Sequence, residues 1–385
     1  MASKKVLIVA SIIGFIESFN KALVEYLKIK RGCELHTACK SSYFADNDEK
    51  YTRLFIDKLK KNGIILHDIH FARSPFSPQN IDCYKILKRL IDDNNYDLIH
   101  VHTPTVSILT RLAARKARKN GTVVMYTCHG FHFHDASPMV NWLIYYPMEW
   151  LMSWLCDYIV TINREDYNRA NTFHAHNVRY IPGVGVDIHR ISRVVVDRSS
   201  YKESIGVPKE SILLLSVGEM IPRKNHEIII KALGLLQNPN IYYAICGKGP
   251  LKEYLHKLAC DLGLDGRVIF LGFRRDIPEL CHTADISAFP SRIEGLGLAG
   301  IEAMAAGVPL VSSNVHGIKD YVINGKTGFA INPDDVKGFA NAIKILAEDT
   351  SLRNSMKESC INAVIPFEKT NAVNVMINIY KEILG

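Results

Sequence analysis

The chain has 385 residues, of which 48% are hydrophobic and 22% charged. These values exclude a disordered, collagen-like or low-complexity protein, and the length predicts two domains of about 100–200 residues each. An excess of 47 Lys and Arg over 39 Asp and Glu gives a net charge of +8, which favours anionic partners such as diphosphates, nucleic acid or acidic lipid. The nine cysteines form no CxxC pair, which indicates a reduced, cytoplasmic protein.

The N-terminal segment carries two lysines before the apolar run Val6–Ile16 and so resembles a signal peptide. No small-residue cleavage site follows this run, however. We predict instead a buried parallel strand over Val6–Ser11 and a turn at Gly14. No run in the chain reaches the roughly 18 apolar residues that a transmembrane helix needs.

Short β-branched runs alternate with longer amphipathic stretches along the whole chain, which predicts parallel sheets covered by helices on both faces. The first series of strands is predicted at Val6–Ser11, Glu34–Cys39, Ile65–Phe71, Leu98–His102, Val123–Cys128, Tyr158–Ile162 and Val178–Ile181, with helices such as Phe19–Lys28 and Ile81–Asp92. The second series is predicted at Ile212–Val217, Tyr242–Cys246, Val268–Leu271, Ile286–Phe289, Pro309–Ser312 and Gly328–Ile331. Two series imply an α/β protein with two doubly wound, Rossmann-like domains.

The boundary between the two series is predicted within Asp187–Lys209, where periodicity lapses. Pro366 interrupts the last helical stretch, and a further amphipathic helix is predicted over about Glu368–Leu384. Ligands of open α/β sheets bind beyond the carboxyl ends of the strands, so two such domains facing each other would enclose a cleft. The predicted division is residues 1–190 plus 367–385 for one domain and residues 191–366 for the other.

A glycine-rich segment between Phe289 and Gly307 is the most informative part of the sequence. A strand ends, a turn follows, and a helix runs to its C-terminal glycine. Free backbone N–H groups at such a helix start favour an anionic ligand. Glu294 in the turn can accept hydrogen bonds from sugar hydroxyls, and Glu302 on the helix can bind a second diol such as a ribose.

The same glycines also satisfy the GxGxxG fingerprint of dinucleotide-binding enzymes, at Gly295, Gly297 and Gly300. That fingerprint requires an acidic residue at the end of the next strand, where this chain has Ser312, Ser313 and Asn314. A nicotinamide enzyme is therefore disfavoured, while a tight turn without a ligand stays open.

A basic pair, Arg223 and Lys224, follows the predicted strand Ile212–Val217. Arginine and lysine at the carboxyl end of a strand can neutralise a diphosphate. On this segment alone, a solvated pair of loop charges is the better explanation. The segment Gly247–Pro250 also follows a strand and is predicted to be a structural turn.

Three histidines, His129, His132 and His134, follow the predicted strand that ends at Cys128. An imidazole at this place can donate a hydrogen bond to a substrate or act as a general acid or base. Together with His100 and His102 they also raise the possibility of a zinc site, but no acidic or cysteine ligand completes it. Ordinary loop histidines remain an alternative.

All three tryptophans lie in the aromatic stretch Trp142–Trp154, which suits a membrane interface, a protein partner or, more commonly, core packing. Arg111, Arg115, Lys116, Arg118 and Lys119 are predicted to form one basic helix that could face acidic lipid or simply be solvated. No nucleic-acid-binding module is recognisable, so nucleic acid is disfavoured as a partner.

Glu294 and Glu302 enclose seven residues in a segment that resembles the EX7E motif of family 4 retaining glycosyltransferases, which have the GT-B fold. Gly218, the pair Arg223-Lys224 and the turn Gly247–Pro250 occur in the family's order. The resemblance covers nearly the whole chain and is strongest to bacterial transferases of capsular and exopolysaccharide assembly. The segments that carry this closer resemblance are His102–Pro104, Tyr126–Phe133, Asn141–Tyr146 and Ile181–Asp187.

The resemblance implies a role for individual residues of the site. Glu294 would contact the donor sugar, Glu302 the ribose and Lys224 the diphosphate. The catalytic residues would be Glu294 and His129, the latter beside the donor sugar. The remaining donor-binding residues would be Gly14, Arg223, Phe273, Arg274, Gly295, Leu296, Gly297 and Leu298. Many family members carry arginine directly after the glycine that matches Gly218, where this chain has Glu219, and Arg223 is expected to supply that charge.

The function implied is transfer of a sugar, such as an N-acetylhexosamine, from a UDP-sugar to a polyprenyl-diphosphate-linked saccharide, with retention of configuration. No cofactor and no catalytic metal are expected, and the protein is expected in the cytoplasm, in peripheral contact with the inner face of the membrane. The alternatives left open are a nucleotide-sugar epimerase of the GT-B fold, a transferase that uses a GDP-sugar, and a membrane scaffold without catalysis.

Overall fold

The protein is described from a computed structural model, which covers residues 3–41, 49–72 and 74–385. The chain divides into two compact units, Met1–Gly185 with Thr370–Gly385, and Val186–Lys369. The boundaries drawn from the sequence lie elsewhere, after residue 190 and before residue 367. The family resemblance implies that the first unit binds the acceptor and the second the nucleotide-sugar donor, and this assignment stays a prediction.

The first unit is built on a seven-stranded, fully parallel sheet in the order β3-β2-β1-β4-β5-β6-β7. Its central strands are buried on both sides because helices cover both faces of the sheet, as the burial of every residue of β4 illustrates. The strands are β1 Lys5–Ile12, β2 Glu34–Lys40, β3 Ile65–Asp68, β4 Leu98–His102, β5 Val123–Cys128, β6 Tyr158–Thr161 and β7 Asn177–Tyr180.

Eight helices belong to the described part of the first unit, and the last of them is the C-terminal helix of the chain. They are α1 Ile13–Glu25, α2 Glu49–Lys61, α3 Gln79–Asn94, α4 Pro104–Ala113, α5 Arg115–Lys119, α6 Met139–Ser153, α7 Arg164–Ala170 and α16 Lys369–Leu384. A π-helical turn, Tyr26–Lys30, extends α1. Because α1 begins directly after β1, Gly14 lies in the first turn of a helix, and the prediction of a separate turn there is wrong.

The second unit is built on a six-stranded parallel sheet in the order β10-β9-β8-β11-β12-β13. The α/β class with two parallel sheets is confirmed. The strands are β8 Ile212–Val217, β9 Ile241–Cys246, β10 Val268–Gly272, β11 Ile286–Phe289, β12 Leu310–Ser313 and β13 Gly328–Ile331. The helices are α8 Ile188–Ser192, α9 Arg198–Ser204, α10 His226–Leu236, α11 Lys252–Asp261, α12 Ile277–Thr283, α13 Leu298–Ala305, α14 Val336–Glu348 and α15 Thr350–Val364, with 3-10 turns at Pro222–Lys224, His316–Asp320 and Ile365–Phe367.

Two further predictions from the sequence fail in the first unit. The predicted strand Ile65–Phe71 ends at Asp68, because the backbone turns back so that the Phe71 N–H donates to the Ile69 carbonyl. The single basic helix is wrong as well: α4 ends before α5 begins, and Arg111 on α4 is buried and ion-paired with Glu149 at 2.7 Å.

The strand order of each sheet places a topological switch point beside its first strand. In the first sheet β1 lies between β2 and β4, and in the second β8 lies between β9 and β11. Ligands of open α/β sheets bind at the carboxyl end of such a point, because the two adjoining loops diverge there. The two loops of interest in the second unit therefore follow β8 and β11.

Candidate active site

The loops after β8 and β11 lie side by side at the switch point of the second sheet. The Arg292 N–H donates to the Arg223 carbonyl at 2.8 Å, so backbone hydrogen bonding joins the two loops. Gly247 follows β9 and has no room for a side chain, because a Cβ would lie 2.0 Å from the Gly218 carbonyl oxygen. Tight contact of three loop backbones holds the basic pair beside the turn that carries Glu294.

The charged centre of this site is formed by Arg223, Lys224 and Glu294. The Lys224 ammonium donates to Glu294 Oε1 at 2.6 Å, and the Arg223 guanidinium donates to the same oxygen at 3.0 Å. The side chains of Lys224 and Glu294 are 14% and 9% exposed, whereas that of Arg223 is 43% exposed. Two cations share one carboxylate, which leaves a net positive charge for an anionic ligand.

The glycine turn before α13 is shaped by aromatic side chains. Gly297 adopts a positive φ of 84°, and a Cβ there would lie 2.6 Å from the ring of Phe289. The Tyr321 hydroxyl donates to the Gly297 carbonyl at 3.2 Å, and a Cβ at Gly300 would lie 2.7 Å from the same hydroxyl oxygen. The turn residues Gly295–Leu298 lead into the N-terminus of α13, where the Gly300 N–H donates to the Gly297 carbonyl at 3.0 Å.

Glu302 lies on the second turn of α13 and is mostly buried. Burial raises the pKa of its carboxyl from 4.5 to about 7, opposed only by the charge of Arg190. Within the described part of the chain its carboxylate accepts no hydrogen bond. A carboxylate that is buried without donors is costly, so this group is suited to a ligand that brings hydroxyl donors.

Phe273 and Arg274 follow β10 at the same edge of the sheet. Phe273 is 48% exposed, and the Lys248 ammonium lies 5.8 Å from the centre of its ring. The Arg274 guanidinium donates to Asp276 at 2.8 Å and to the Tyr201 hydroxyl at 3.1 Å, and this pairing lowers the pKa of the Asp276 carboxyl to about 2. The Arg274 side chain is thus engaged within the protein.

Glu219, which replaces the family's arginine, is exposed and sits directly before the buried Met220. The Arg223 guanidinium donates to the Ile293 carbonyl as well as to Glu294, both at 3.0 Å. Arg223, the residue expected to supply the missing charge, is therefore directed toward the glycine-rich segment.

In the first unit, histidines form a connected cluster at the carboxyl edge of the sheet. His102 Nδ1 and His129 Nε2 are 3.0 Å apart, and the rings of His100 and His102 are 4.1 Å apart. His100 in turn lies within hydrogen-bond distance of the Thr127 hydroxyl, at 2.7 Å, and of the Tyr380 hydroxyl, at 2.6 Å. This cluster fixes the ring of His129 from the protein interior.

Burial makes this cluster neutral at physiological pH. It lowers the pKa of His129 to about 4 and that of His100 to about 3. His129 is therefore a neutral hydrogen-bonding group, with Phe15 of α1 packed edge-on at 5.2 Å between ring centres. Gly14, the neighbour of Phe15, lies in the first turn of the same helix. His132 is exposed and stacks on Tyr145, while His134 is buried.

His100, His102 and His129 contact one another through hydrogen bonds and ring packing. Among the described residues, three side chains that could share a metal ion come together only at His256, Cys260 and Asp265, all exposed on the surface of the second unit.

A cavity of about 690 Å³ lies at the carboxyl edge of the first sheet. Its lining includes Phe15, Lys40, Thr103, Thr105 and His132. A neighbouring cavity of about 240 Å³ shares Pro104, Thr105 and His132 with it and extends toward α6. The edge that carries His129 therefore has room for a ligand of the size of a saccharide.

Comparison with known proteins identifies the family of this chain. Residues 16–190 match the family model described as Glycosyltransferase Family 4, and residues 197–362 match that described as Glycosyl transferases group 1. EpsD of Bacillus subtilis strain 168, a protein assigned as a glycosyltransferase, is 34% identical over 384 residues, covering 98% of this chain and 96% of EpsD. The chain belongs to glycosyltransferase family 4.

Further relatives of this glycosyltransferase include enzymes with named substrates and proteins of known structure. A UDP-Gal:alpha-D-GlcNAc-diphosphoundecaprenol alpha-1,3-galactosyltransferase of Escherichia coli is 28% identical over 327 residues, covering 83% of this chain and 80% of that enzyme. HepE of Anabaena, solved in complex with UDP and glucose, superposes with a TM-score of 0.77 at 20% identity, covering 98% of this chain and 100% of HepE. At this identity the likeness establishes the GT-B fold alone.

Three residues of this glycosyltransferase support the site in roles that the sequence did not indicate. Tyr321, which holds the glycine turn, follows a 3-10 turn and has no motif around it. Asp276 lies two residues after Arg274, and this spacing of opposite charges was a usable signal. His102 belongs to a segment that resembles the family, yet its contact with His129 depends on the register of β4 against β5.

Proposed function

We propose that this enzyme transfers a sugar from a UDP-sugar to a lipid-linked saccharide during capsular or exopolysaccharide synthesis, with retention of configuration. The single observation that carries the proposal is the cluster of Arg223, Lys224 and Glu294 at the switch point of the second sheet. Its net positive charge and its place beside the N-terminus of α13 suit a sugar diphosphate.

Departure of the diphosphate is the step that most needs stabilisation. The leaving group gains negative charge in the transition state, so fixed cations contribute more there than to binding alone. Lys224, held close to Phe289 and Glu294, is already oriented without a donor and needs little reorganisation. Family resemblance implies a front-face reaction in which the leaving phosphate assists deprotonation of the acceptor hydroxyl, so no protein nucleophile is assigned.

The nucleoside and the sugar would then contact the two glutamates. A ribose would donate its hydroxyls to the buried carboxylate of Glu302, which lacks donors within the described residues. The donor sugar would contact Glu294 and the backbone of Gly295–Leu298, while the base would meet the backbone of Phe273 and Arg274. His129 would supply a neutral hydrogen bond to the donor sugar.

The relatives favour a UDP-sugar and a polyprenyl-linked acceptor. The E. coli galactosyltransferase, which aligns over 83% of this chain, is named for both a UDP-sugar donor and a diphosphoundecaprenol-linked acceptor. A GDP-mannose-dependent mannosyltransferase of Mycolicibacterium smegmatis aligns over only 43%. A GDP-sugar donor is therefore the second candidate. The sugar itself is proposed as a hexose or an N-acetylhexosamine.

Donor preference is tested by titrating the wild-type protein with UDP, GDP and ADP in a calorimeter. We expect UDP to bind most tightly, with Lys224→Ala weakening UDP at least tenfold. Lys252→Ala, which removes an exposed charge of α11 in the same unit, is the matched control and should leave UDP affinity unchanged. Preferential binding of GDP would refute the UDP assignment.

Transfer is distinguished from epimerisation by incubating each UDP-sugar alone and then with polyprenyl-diphosphate-linked saccharides. NMR of the product mixture should show a new α-linkage only when the acceptor is present. An epimerised donor in the acceptor-free sample would instead support the epimerase alternative.

A further inference from the structure

Helix α6 has its charge inside and its apolar residues outside. Glu149 is the only charged residue of Met139–Ser153, and it is 4% exposed and paired with the buried Arg111 at 2.7 Å. On the opposite side, Met139 and Leu143 are 71% and 72% exposed. A solvated surface helix shows the reverse distribution.

The exposed residues of α6 form one continuous stripe. They recur at intervals of three or four residues, as expected for a single helical face. We call this stripe the α6 face; its members are Met139, Val140, Leu143, Ile144, Pro147, Leu151 and Trp154, the last directly after the helix. Scattered exposed apolar residues are ordinary, but a contiguous apolar patch marks an interaction surface.

Positive charge is held at the C-terminal end of this face. The Arg118 guanidinium donates to the Trp154 carbonyl at 2.9 Å, which fastens α5 to the end of α6. The neighbouring Arg115, Lys116 and Lys119 are exposed, and in the described part of the chain they form no ion pair. Apolar side chains next to uncompensated cations are complementary to the acyl boundary and the phosphates of an anionic bilayer.

A protein partner fits this surface less well. Protein interfaces carry about one hydrogen bond per 100–200 Å². Every exposed position within α6 is apolar, and apart from the indole N–H of Trp154 the α6 face offers such a partner no polar side-chain group. A bilayer makes no such demand, and a tryptophan beside cations is typical of the membrane–water boundary.

We propose that the α6 face, together with Arg115, Lys116 and Lys119, is the surface by which this protein docks on an anionic lipid bilayer. The consequence for catalysis rests on the proposed function, since a lipid-linked acceptor would lie in the same bilayer.

Vesicle flotation tests the docking surface directly. Wild-type protein should float with vesicles of phosphatidylcholine containing 30% phosphatidylglycerol, more weakly with pure phosphatidylcholine, and less at high salt. The double variant Leu143→Ser/Leu151→Ser should reduce the partition coefficient at least tenfold. Leu235→Ser, at a comparably exposed leucine of α10 in the other unit, is the control and should float like the wild type.

The charge contribution is tested by Lys116→Glu/Lys119→Glu, which should weaken binding to anionic vesicles at least tenfold and flatten its salt dependence. Lys337→Glu/Lys344→Glu makes the same charge change on α14 and should have a much smaller effect. All variants should retain wild-type UDP affinity, so that a failure of docking is distinguishable from a failure of the donor site. The inference is overturned if neither double variant changes flotation, or if the leucine variant only dissociates a dimer in sedimentation velocity.

Discussion

Replacing Glu302 by glutamine should stabilise the protein while weakening its donor site. Burial raises the pKa of the Glu302 carboxyl from 4.5 to about 7, so the folded state holds a proton there that the unfolded state releases. Wild-type stability therefore falls as the pH rises through the window from 4.5 to 7. Since one pKa unit corresponds to about 1.4 kcal/mol, ionisation costs the folded protein about 3 kcal/mol at pH 8 and less than about 1 kcal/mol at pH 5.

The assay is urea-induced unfolding of wild type and Glu302→Gln at pH 5 and pH 8. We expect the variant's advantage to grow by about 2 kcal/mol between these pH values. Glu358→Gln, an exposed carboxylate of α15, is the control and should show no such growth. UDP affinity of Glu302→Gln should fall about tenfold at pH 8, because a charge-assisted hydrogen bond to the ribose is lost. An advantage that is equal at both pH values would refute the burial argument, and unchanged UDP affinity would refute the ribose contact.

Three further predictions concern single residues of the two units. Lys224→Ala should lower kcat and donor affinity together, because the charge of Lys224 acts on the bound diphosphate and on the leaving group. If steady-state kinetics showed unchanged kcat and donor KM, Lys224 would not be part of the donor site. His129→Ala should lower kcat roughly 10²–10³-fold with UDP affinity retained, and His132→Ala should lower kcat less. Single-turnover rates in the opposite order would show that His132, and not His129, is the catalytic histidine. Gly297→Ala should destabilise the protein by about 1–3 kcal/mol, because its φ is positive and Phe289 occupies the space of a Cβ; an unchanged Tm would contradict this.

Much of the fold was readable from the sequence because buried parallel strands are continuous apolar runs. Leu98–His102, Val123–Cys128, Ile212–Val217, Ile286–Phe289 and Gly328–Ile331 have the bounds that were predicted. The errors occur where a local pattern is overridden by tertiary contacts. Arg111 is the clearest case, since its partner Glu149 is 38 residues away and no local pattern relates the two.

The site was predictable only in its separate segments. Arg223-Lys224 and Glu294 are 70 or more residues apart in the sequence, and the charge pair alone was better explained as a solvated loop. Their contact depends on β8 and β11 being neighbours, which is a property of sheet order rather than of either segment. For the same reason the pKa of Glu302 could not be anticipated, because it is set by packing around α13.

The features related to membrane binding were also predictable only in part. Among the described residues, none of the helices has the length and apolar character of a membrane span. The aromatic stretch was expected to be core or interface: Trp142 packs against the core of the first unit, Trp154 is 57% exposed, and the interface stays a prediction. The rotation of α6 about its own axis, relative to the sheet, determines which side chains face the core and which face solvent.

Hydrogen exchange with and without UDP tests the location of the donor site most directly. UDP should slow amide exchange in residues 217–225 and 293–302, which follow β8 and β11, and should leave α14, Val336–Glu348, unchanged. The same measurement on Lys224→Ala at equal UDP concentration should show the protection reduced in both segments. Protection by UDP that is confined to other parts of the chain, or absent at millimolar concentration, would contradict the assignment of this site.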